Sequence, residues 1–572
     1  MYNNTSLYQK KRLQMSYPYE NLENFTIPTL WERSVRLYGN NPALGWVGEE
    51  AMSYETMAQK VSQMCELLKS HGIHKGDKVL LLSENMPHWA VAYMSIVSIG
   101  AVVVPVLVDF HTSEIHHIIK HSEAKAVFVS EKHQSTIEEC EDAKLEFVVN
   151  LESLELIEKL SNASYLSQLK QKMKEKLHKH EDSPLKEDDL CAIIYTSGTT
   201  GSSKGVMLTH KNIVTNAMSS FSVLEIVPDD IFLSVLPLAH TFECTVGLFV
   251  PLLHGSSVYY VQKTPTPTVL LKAFAIVKPT MMLSVPLIIE KIYKNKILSK
   301  FNGTFATKHL YKLPYVRKKL NKVAGKKLLE SFGGRIRFFG IGGAPLSPFV
   351  EQFLLEAEFP YVVGYGLTET APLLAGTPLA SKRKLSSTGP AIYGVTLKIK
   401  DPDSHGEGEI CAKSPSVMLG YYKDTEKTKE VFDEDGWFLT GDLGHIDEEG
   451  YLFISGRSKN VIISASGENI YPEQIESVIN QHELVADVLV MELEGKVVAR
   501  VHFDQELLDE KLHTHGIADS QAQKEISKLL EQIRQEVNEQ LSSFSKVSRF
   551  IHQREAFVKT PTKKIKRYLY TN

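Results

Sequence analysis

From about residue 25 to 150, short runs of Val, Ile and Leu alternate with segments whose apolar residues return every three or four positions. Lys78–Leu82 (KVLLL) and Ala126–Ser130 (AVFVS) are two such runs. A short apolar run between helical patterns is a strand covered on both faces, which predicts βα units on a largely parallel sheet. The longest apolar stretch, Trp89–Val108, is broken by Gly100 and Pro105 into a helical half (WAVAYMSIVSIGA) and a β-branched half (VVVPVLV). That division predicts a buried helix feeding a core strand, not a membrane span. Residues 151–188 are charged, and Leu169, Met173 and Leu177, four apart, predict a thin amphipathic helix at the surface. A fresh strand, Cys191–Tyr195 (CAIIY), opens a second α/β block running to about 385. Short strands with frequent turns follow (VTLKIK, GEICAK, YLFIS), as in a small β-rich unit. After Arg457 a strand, helices and a Lys-rich tail predict a separate C-terminal domain.

Composition adds exclusions. At 572 residues the chain is long enough for several folding units. Its 43% hydrophobic and 23% charged residues exclude disorder and a small disulfide scaffold. With 64 basic and 68 acidic residues the formal charge is −4, so no global basic excess points to nucleic acid. Cys65, Cys140, Cys191, Cys244 and Cys411 are scattered and form no CxxC pair, which reads as reduced thiols in a cytoplasmic protein without a zinc module. Lys10, Lys11 and Arg12 are not followed by the apolar run of a signal peptide. Between Lys291 and Leu329 stand twelve Lys or Arg and no Asp or Glu. This segment is either a solvated helical face or a contact surface for anionic lipid head groups or a polyanionic substrate.

The strongest chemical signal is Tyr195-Thr-Ser-Gly-Thr-Thr-Gly-Ser-Ser-Lys-Gly205, a strand followed by hydroxyls and glycines closing on one lysine. Glycines let backbone amides approach an anion, hydroxyls add donors, and Lys204 adds a point charge, so polyphosphate is the implied ligand. The Walker A spacing fails, because Gly198 is followed five residues later by Ser203 and Lys204 by Gly205. Gly201–Gly205 formally fits the nucleophile elbow G-x-S-x-G, but that elbow turns into a helix, whereas GVMLTH reads as a strand.

Four further motifs follow in order: Gly364-Tyr-Gly-Leu-Thr-Glu-Thr370, Leu439-Thr-Gly-Asp-Leu-Gly444, Gly456-Arg-Ser-Lys-Asn460 with Gly467–Glu476, and Lys559–Arg567. With them the chain resembles the adenylate-forming (AMP-binding) superfamily, and within it the long-chain fatty acid–CoA ligases. The resemblance extends from residue 195 to 567, and the N-terminal α/β block suits the remainder. It implies an α/β fold whose N-terminal domain, 1–456, joins two α/β sheet subdomains and a small β-rich one and holds the ATP and acyl sites. A smaller, mobile α+β C-terminal domain, 457–572, turns on a hinge at Lys459.

The resemblance also implies roles. Thr196, Ser197, Gly198, Thr199, Thr200, Gly201 and Lys204 hold the ATP phosphates. Gly343, Ala344, Pro345, Tyr365 and Gly366 surround the nucleotide, and Thr368 bonds the α-phosphate. Asp442 and Arg457 hold the ribose. Glu369 coordinates Mg2+ with ATP, as a hard carboxylate should. The terminal pattern usually reads T-x-S/T-G-K-I/L-x-R; register against Ile565 and Arg567 makes Lys564 the catalytic lysine and puts Lys563 in the usual glycine's place. Gly467, with Ser466 and Glu468, lines the path of an incoming thiol, CoA being the co-substrate.

Leu236-Pro-Leu-Ala-His-Thr-Phe-Glu243 resembles the element that places His240 at the carboxylate end of an acyl pocket, although a lone histidine is most often structural. Phe249, Met282, Val285, Phe339 and Ile341 are the other wall candidates. No charged residue falls in Phe338–Pro345, which argues against an amino acid substrate, whose ammonium needs a paired acid. The expected activity is ATP-dependent formation of a long- or medium-chain acyl-AMP with release of pyrophosphate, then transfer to CoA. The alternative acceptor is an acyl carrier protein, and a luciferase-type oxygenase would use the same adenylation residues. The expected location is the cytoplasm, with the basic 291–329 segment a candidate membrane contact. Intact Lys204, Glu369, Asp442 and Lys564 argue against a catalytically dead scaffold.

Overall fold

The computed structural model describes residues 17, 22–141, 143–161, 184–196, 203–298, 309–311, 313–463, 468–514 and 519–571. The helix expected around Leu169, Met173 and Leu177 lies outside these residues. Two large sheets and a smaller antiparallel one build the N-terminal domain. In the seven-stranded sheet, Lys78–Leu82 runs parallel between Val102–Val106 and Ala126–Val129, with Phe147–Asn150 beyond the latter. Leu190–Thr196 adds in parallel to Val102–Val106 and turns back antiparallel as Lys204–Thr209, which pairs at the edge with Gly420–Tyr421. The eight-stranded sheet is parallel through Tyr361–Gly366, Phe338–Ile341, Met281–Ser284, Ile231–Ser234, Ser257–Tyr260 and Pro42–Trp46.

The two blocks read along the chain exchange strands. Leu190–Thr196, expected to open the second block, joins the first sheet, and Pro42–Trp46, from the first block, joins the second. Apolar runs mark a strand as buried on both faces but carry no address for the neighbour it pairs with. Trp89–Val108 divides as expected into a buried helix, Pro87–Ser98, and the strand Val102–Val106, with Gly100 at a φ of 76° between them. No helix among the described residues is long and apolar enough to cross a membrane. The basic segment contributes the helix Pro314–Ser331.

The eight-stranded sheet separates two cores. Met281, Leu283 and Phe338 pack into the larger one, while Met282, Phe339 and Ile341 point to the other face and pack against Phe332, Phe353 and Phe359. The five-stranded antiparallel sheet spans Ser387–Gly389 to Leu452–Arg457. Past it, the smaller C-terminal domain has its own core, from Ile462 to Phe550, built on Val485–Leu493, Lys496–Phe503, Arg549–His552 and the helix Pro472–Ile479.

Candidate active site

The strand Leu190–Thr196 ends where the phosphate-binding pattern begins. Ser197, Gly198, Thr199, Thr200 and Gly201 lie outside the described residues, and the chain resumes so that Lys204 stands opposite Thr196 in the hairpin register. The Lys204 ammonium lies 4.8 Å from the centre of the Tyr421 ring, and the Tyr421 hydroxyl donates to Glu369 Oε1 at 2.9 Å. Tyr421 therefore spaces the cation from the carboxylate and orients both. Burial, then the charges of Lys459 and Lys427, push Lys204 down from its ordinary value, and Glu369 and Asp424 oppose them.

Glu369 rides on a single 3₁₀ turn, Thr368–Thr370. Asn216, buried beneath it, donates to the carbonyls of Thr370 (3.2 Å) and Leu373 (2.8 Å) and accepts from the Leu373 amide (3.1 Å). Before the turn, a Cβ on Gly366 would sit 1.8 Å from the Pro372 carbonyl oxygen, so only glycine lets the chain pass. These contacts present Thr368 and Glu369 on one rigid edge. A Mg2+ ion takes one or two carboxylates with substrate phosphates and water as its remaining ligands. A single oriented Glu369 beside the Lys204 ammonium fits that donor set.

Asp442 is 4% exposed, and its carboxylate bridges two neighbours. Tyr365 donates to Oδ2 and Arg457 Nε meets Oδ1, both at 2.7 Å; the second contact follows from the direct pairing of Asp442 with Arg457 across adjacent strands. Burial pushes the Asp442 carboxyl up, while Arg457, Tyr365 and Lys564 pull it back. A carboxylate offers about four lone pairs, so this one still has acceptor sites for a ligand's hydroxyls. Gly343, Ala344 and Pro345 form an exposed turn after Phe338–Ile341, with Gly343 at a φ of 86°.

The tail brings Lys564 to this place. Thr560 and Lys564 close a tight turn through amide and hydroxyl bonds, and Arg567 fixes that turn to its domain, its Nη2 donating to both Glu476 carboxylate oxygens at 2.6 Å. The charges of Arg457, Asp442 and Glu369 act on Lys564, and Lys564 in turn acts on Asp442 and His240. Desolvation, then Arg457, push its ammonium down, while Asp442 and Glu369 pull the proton back. More than a third of its surface stays open to water, which limits that desolvation. Residues from both domains thus meet in one cleft.

His240 is half-buried, and its Nδ1 accepts from the Phe242 amide at 3.2 Å. The ring is therefore neutral with its proton on Nε2, and burial, reinforced by Lys564, pushes it down to about 4. Between about 4 and the ordinary 6.5, the unfolded chain binds a proton here that the folded one does not, so this site costs stability as pH falls through that window. His240→Gln is expected to flatten the loss of unfolding free energy between about pH 6.5 and about pH 4. Urea titrations across the window check this, and parallel curves for the two proteins would contradict it.

The acyl-pocket candidates divide. Phe249 and Val285 lie on the side of the larger core, as do Leu238 and Ala239 just before His240, where the π-helical segment Phe242–Phe249 packs against the sheet. Met282, Phe339 and Ile341 face the other side. On the His240 side Gly342 matters, because a Cβ there would meet the Phe242 ring at 3.2 Å. Lys459 is exposed just past Arg457, and Gly467 lies outside the described residues while Glu468 is exposed. Sequence reasoning missed Tyr421, Asn216 and Phe242; only the Phe242 position, two residues after His240, carried a signal.

The family described as "AMP-binding enzyme" matches residues 31–422. Long chain acyl-CoA synthetase 7, peroxisomal, of Arabidopsis thaliana is 30% identical over 531 residues, 85% of this chain and 74% of that protein. Long-chain-fatty-acid–CoA ligase 1 of Homo sapiens is 30% identical over 509 residues, 81% of this chain and 72% of that protein. Among solved structures, the anthranilate CoA ligase AuaEII in complex with anthranoyl-AMP is similar at a TM-score of 0.75 and 21% identity, covering 97% of this chain and 98% of its own. ATP-bound MatB from Rhodopseudomonas palustris is similar at a TM-score of 0.73 and 24% identity, covering 96% of this chain and 98% of its own. The two structures establish the fold.

Proposed function

Because this chain belongs to the AMP-binding enzyme family and is similar to long-chain acyl-CoA synthetases over most of its length, we propose that it joins a long-chain fatty acid to CoA at the expense of ATP. The acid's carboxylate attacks the α-phosphorus, pyrophosphate leaves, and the CoA sulfur then attacks the acyl carbon and expels AMP. The observation that carries this reading is the docking of the C-terminal tail on the N-terminal domain through Lys563 and Asp109, which puts Lys564 within reach of the charges of Asp442, Glu369 and Arg457.

Two anions must approach in the first step, so the site has to supply positive charge and fixed donors where negative charge gathers. Lys204 serves the phosphates leaving as pyrophosphate. Lys564 bridges the acyl carboxylate and the α-phosphate, Thr368 bonds the α-phosphate, and the neutral His240 donates from Nε2 towards the carboxylate. Asp442 and Arg457 take the ribose, beside Tyr365. Glu369 would hold Mg2+, which neutralises phosphate charge when bound. The domain boundary at 456/457, the hinge at Lys459 and the thiol path beside Gly467 complete the reading and supply the second step. The similar acyl-CoA synthetase and fatty-acid–CoA ligase carry CoA in their names, which favours CoA over a carrier protein as acceptor. Some are peroxisomal, so location does not follow from the family. The basic 291–329 segment offers positive charge to an anionic membrane surface.

The acyl chain lies against the apolar face around Phe242, Phe249 and Val285, where each buried methylene contributes about 0.8 kcal/mol. Affinity should therefore rise about fourfold per added methylene until the pocket ends. ATP–pyrophosphate exchange with acids from acetate to oleate, without any thiol, reads this directly. Exchange that ignores chain length would overturn the fatty acid reading while leaving adenylation standing.

A further inference from the structure

Two lysines cross the domain interface away from the reacting atoms. Lys294, on Tyr293–Leu298 of the N-terminal domain, donates from Nζ to the backbone carbonyls of His482 (3.0 Å) and Val485 (2.8 Å) in the C-terminal domain. Those carbonyls follow the helix Pro472–Ile479, whose C-terminal end carries partial negative charge. Lys563 reaches the opposite way, from the tail to Asp109 Oδ2 at 3.2 Å, on the loop after Val102–Val106. It does so at a φ of 63°, a left-handed backbone that glycine adopts freely and lysine does not. Lys563 therefore accepts backbone strain at the place where the family pattern has glycine, and makes a contact glycine could not.

The Lys294 anchor connects to Lys564 through a continuous set of bonds. Val485 begins the strand Val485–Leu493, and from that strand Asp487 holds Lys559 at 2.7 Å while the Val490 carbonyl accepts from Arg567 at 3.0 Å. Glu476, on the helix that precedes this corner, accepts from the Nη2 of Arg567. Lys559 and Arg567 flank the turn that presents Lys564. Fixing the His482–Val485 corner therefore fixes the catalytic lysine, and Lys563 fixes the turn itself from the other side.

We propose that Lys294 and Lys563 are positioning residues that hold the C-terminal domain in the arrangement delivering Lys564, favouring adenylation over the thioester-forming step. The proposal rests on the adenylation reading above. Neither side chain reaches the reacting atoms, and any rotation that withdraws Lys564 must break both contacts. Their loss should tell on the first half-reaction alone.

The test uses the full chain with Lys294→Met, Lys294→Arg, Lys563→Gly and the Met/Gly double variant. Pyrophosphate exchange with oleate reads the first half-reaction, and thioester formation from synthetic oleoyl-adenylate and CoA reads the second. Exchange should fall about tenfold or more in Lys294→Met, at least the value of one charge-assisted hydrogen bond, and about threefold in Lys563→Gly, as for an exposed ion pair. The double variant should lose about the product of the two. Thioester formation should stay within about twofold, Lys294→Arg should recover part of the exchange, and Lys563→Gly should melt no lower than the parent because it relieves the φ strain. Unchanged exchange in both single variants, or a parallel fall of both half-reactions, would overturn the proposal. Absence of exchange in the parent protein would instead overturn the adenylation reading.

Discussion

Replacing Lys564 by alanine is expected to lower ATP–pyrophosphate exchange by about 10²–10³-fold, the usual cost of removing one preorganised donor from a developing charge. The C-terminal tail delivers this ammonium to a cleft where the charges of Arg457, Asp442 and Glu369 all act on it. Its loss removes charge where the carboxylate and the α-phosphate must meet, and Lys563, paired with Asp109, does not turn inward to replace it. The tail itself should hold, because Arg567 and Lys559 keep their ion pairs with Glu476 and Asp487. Melting temperature should therefore barely move. Transfer from supplied oleoyl-adenylate to CoA should persist, since that step needs no attack on ATP. A variant equally weak in both half-reactions would show that Lys564 serves the fold or the acyl site instead.

Glu369→Gln is expected to lower exchange by about 10²-fold at ordinary magnesium, with part of the loss recovered as magnesium is raised. The amide keeps the shape of the carboxyl and can still accept from the Tyr421 hydroxyl, so the 3₁₀ turn and its Asn216 support should remain. What disappears is a charged oxygen ligand beside Lys204. Exchange rates across a magnesium series check this. A loss that no magnesium concentration reduces, with the melting temperature intact, would place the carboxylate's role in orienting Lys204 through Tyr421 and not in holding the metal.

Local pattern carried much of this molecule. The Trp89–Val108 stretch divides at Gly100 into the helix and strand its residues predict, because a glycine at positive φ and a β-branched run are local facts. Several motifs stand near one another because they occupy a strand end or the turn after it, while Asp442 lies within Phe438–Ile446 and meets Arg457 across the strand pair. Thr196, Gly366 and Arg457 end their strands, and Thr368 and Glu369 occupy the turn just after Gly366. Pairing was not legible. Leu190–Thr196 and Pro42–Trp46 cross between sheets because a run apolar on both faces fits the middle of either. Side-chain facing was legible only in part: Met282, Phe339 and Ile341 share an apolar character with Phe249 but alternate to the other face of their sheet. Tyr421 and Asn216 act through contacts made across more than fifty residues of sequence, and no spacing announces them. Lys563 was visible as a departure from a pattern, and its partner Asp109 was not.

The central claim is that the fatty acid's own oxygen attacks the α-phosphorus of ATP. Palmitate labelled with ¹⁸O at both carboxyl oxygens, incubated with ATP, CoA and magnesium, tests it by mass spectrometry of the products. The bridging oxygen of the acyl-adenylate stays with phosphorus when the CoA sulfur displaces AMP. The AMP should therefore carry one ¹⁸O and the palmitoyl-CoA the other, with none in pyrophosphate. Label in inorganic phosphate, formation of ADP, or palmitoyl-CoA made alongside unlabelled AMP would contradict the account.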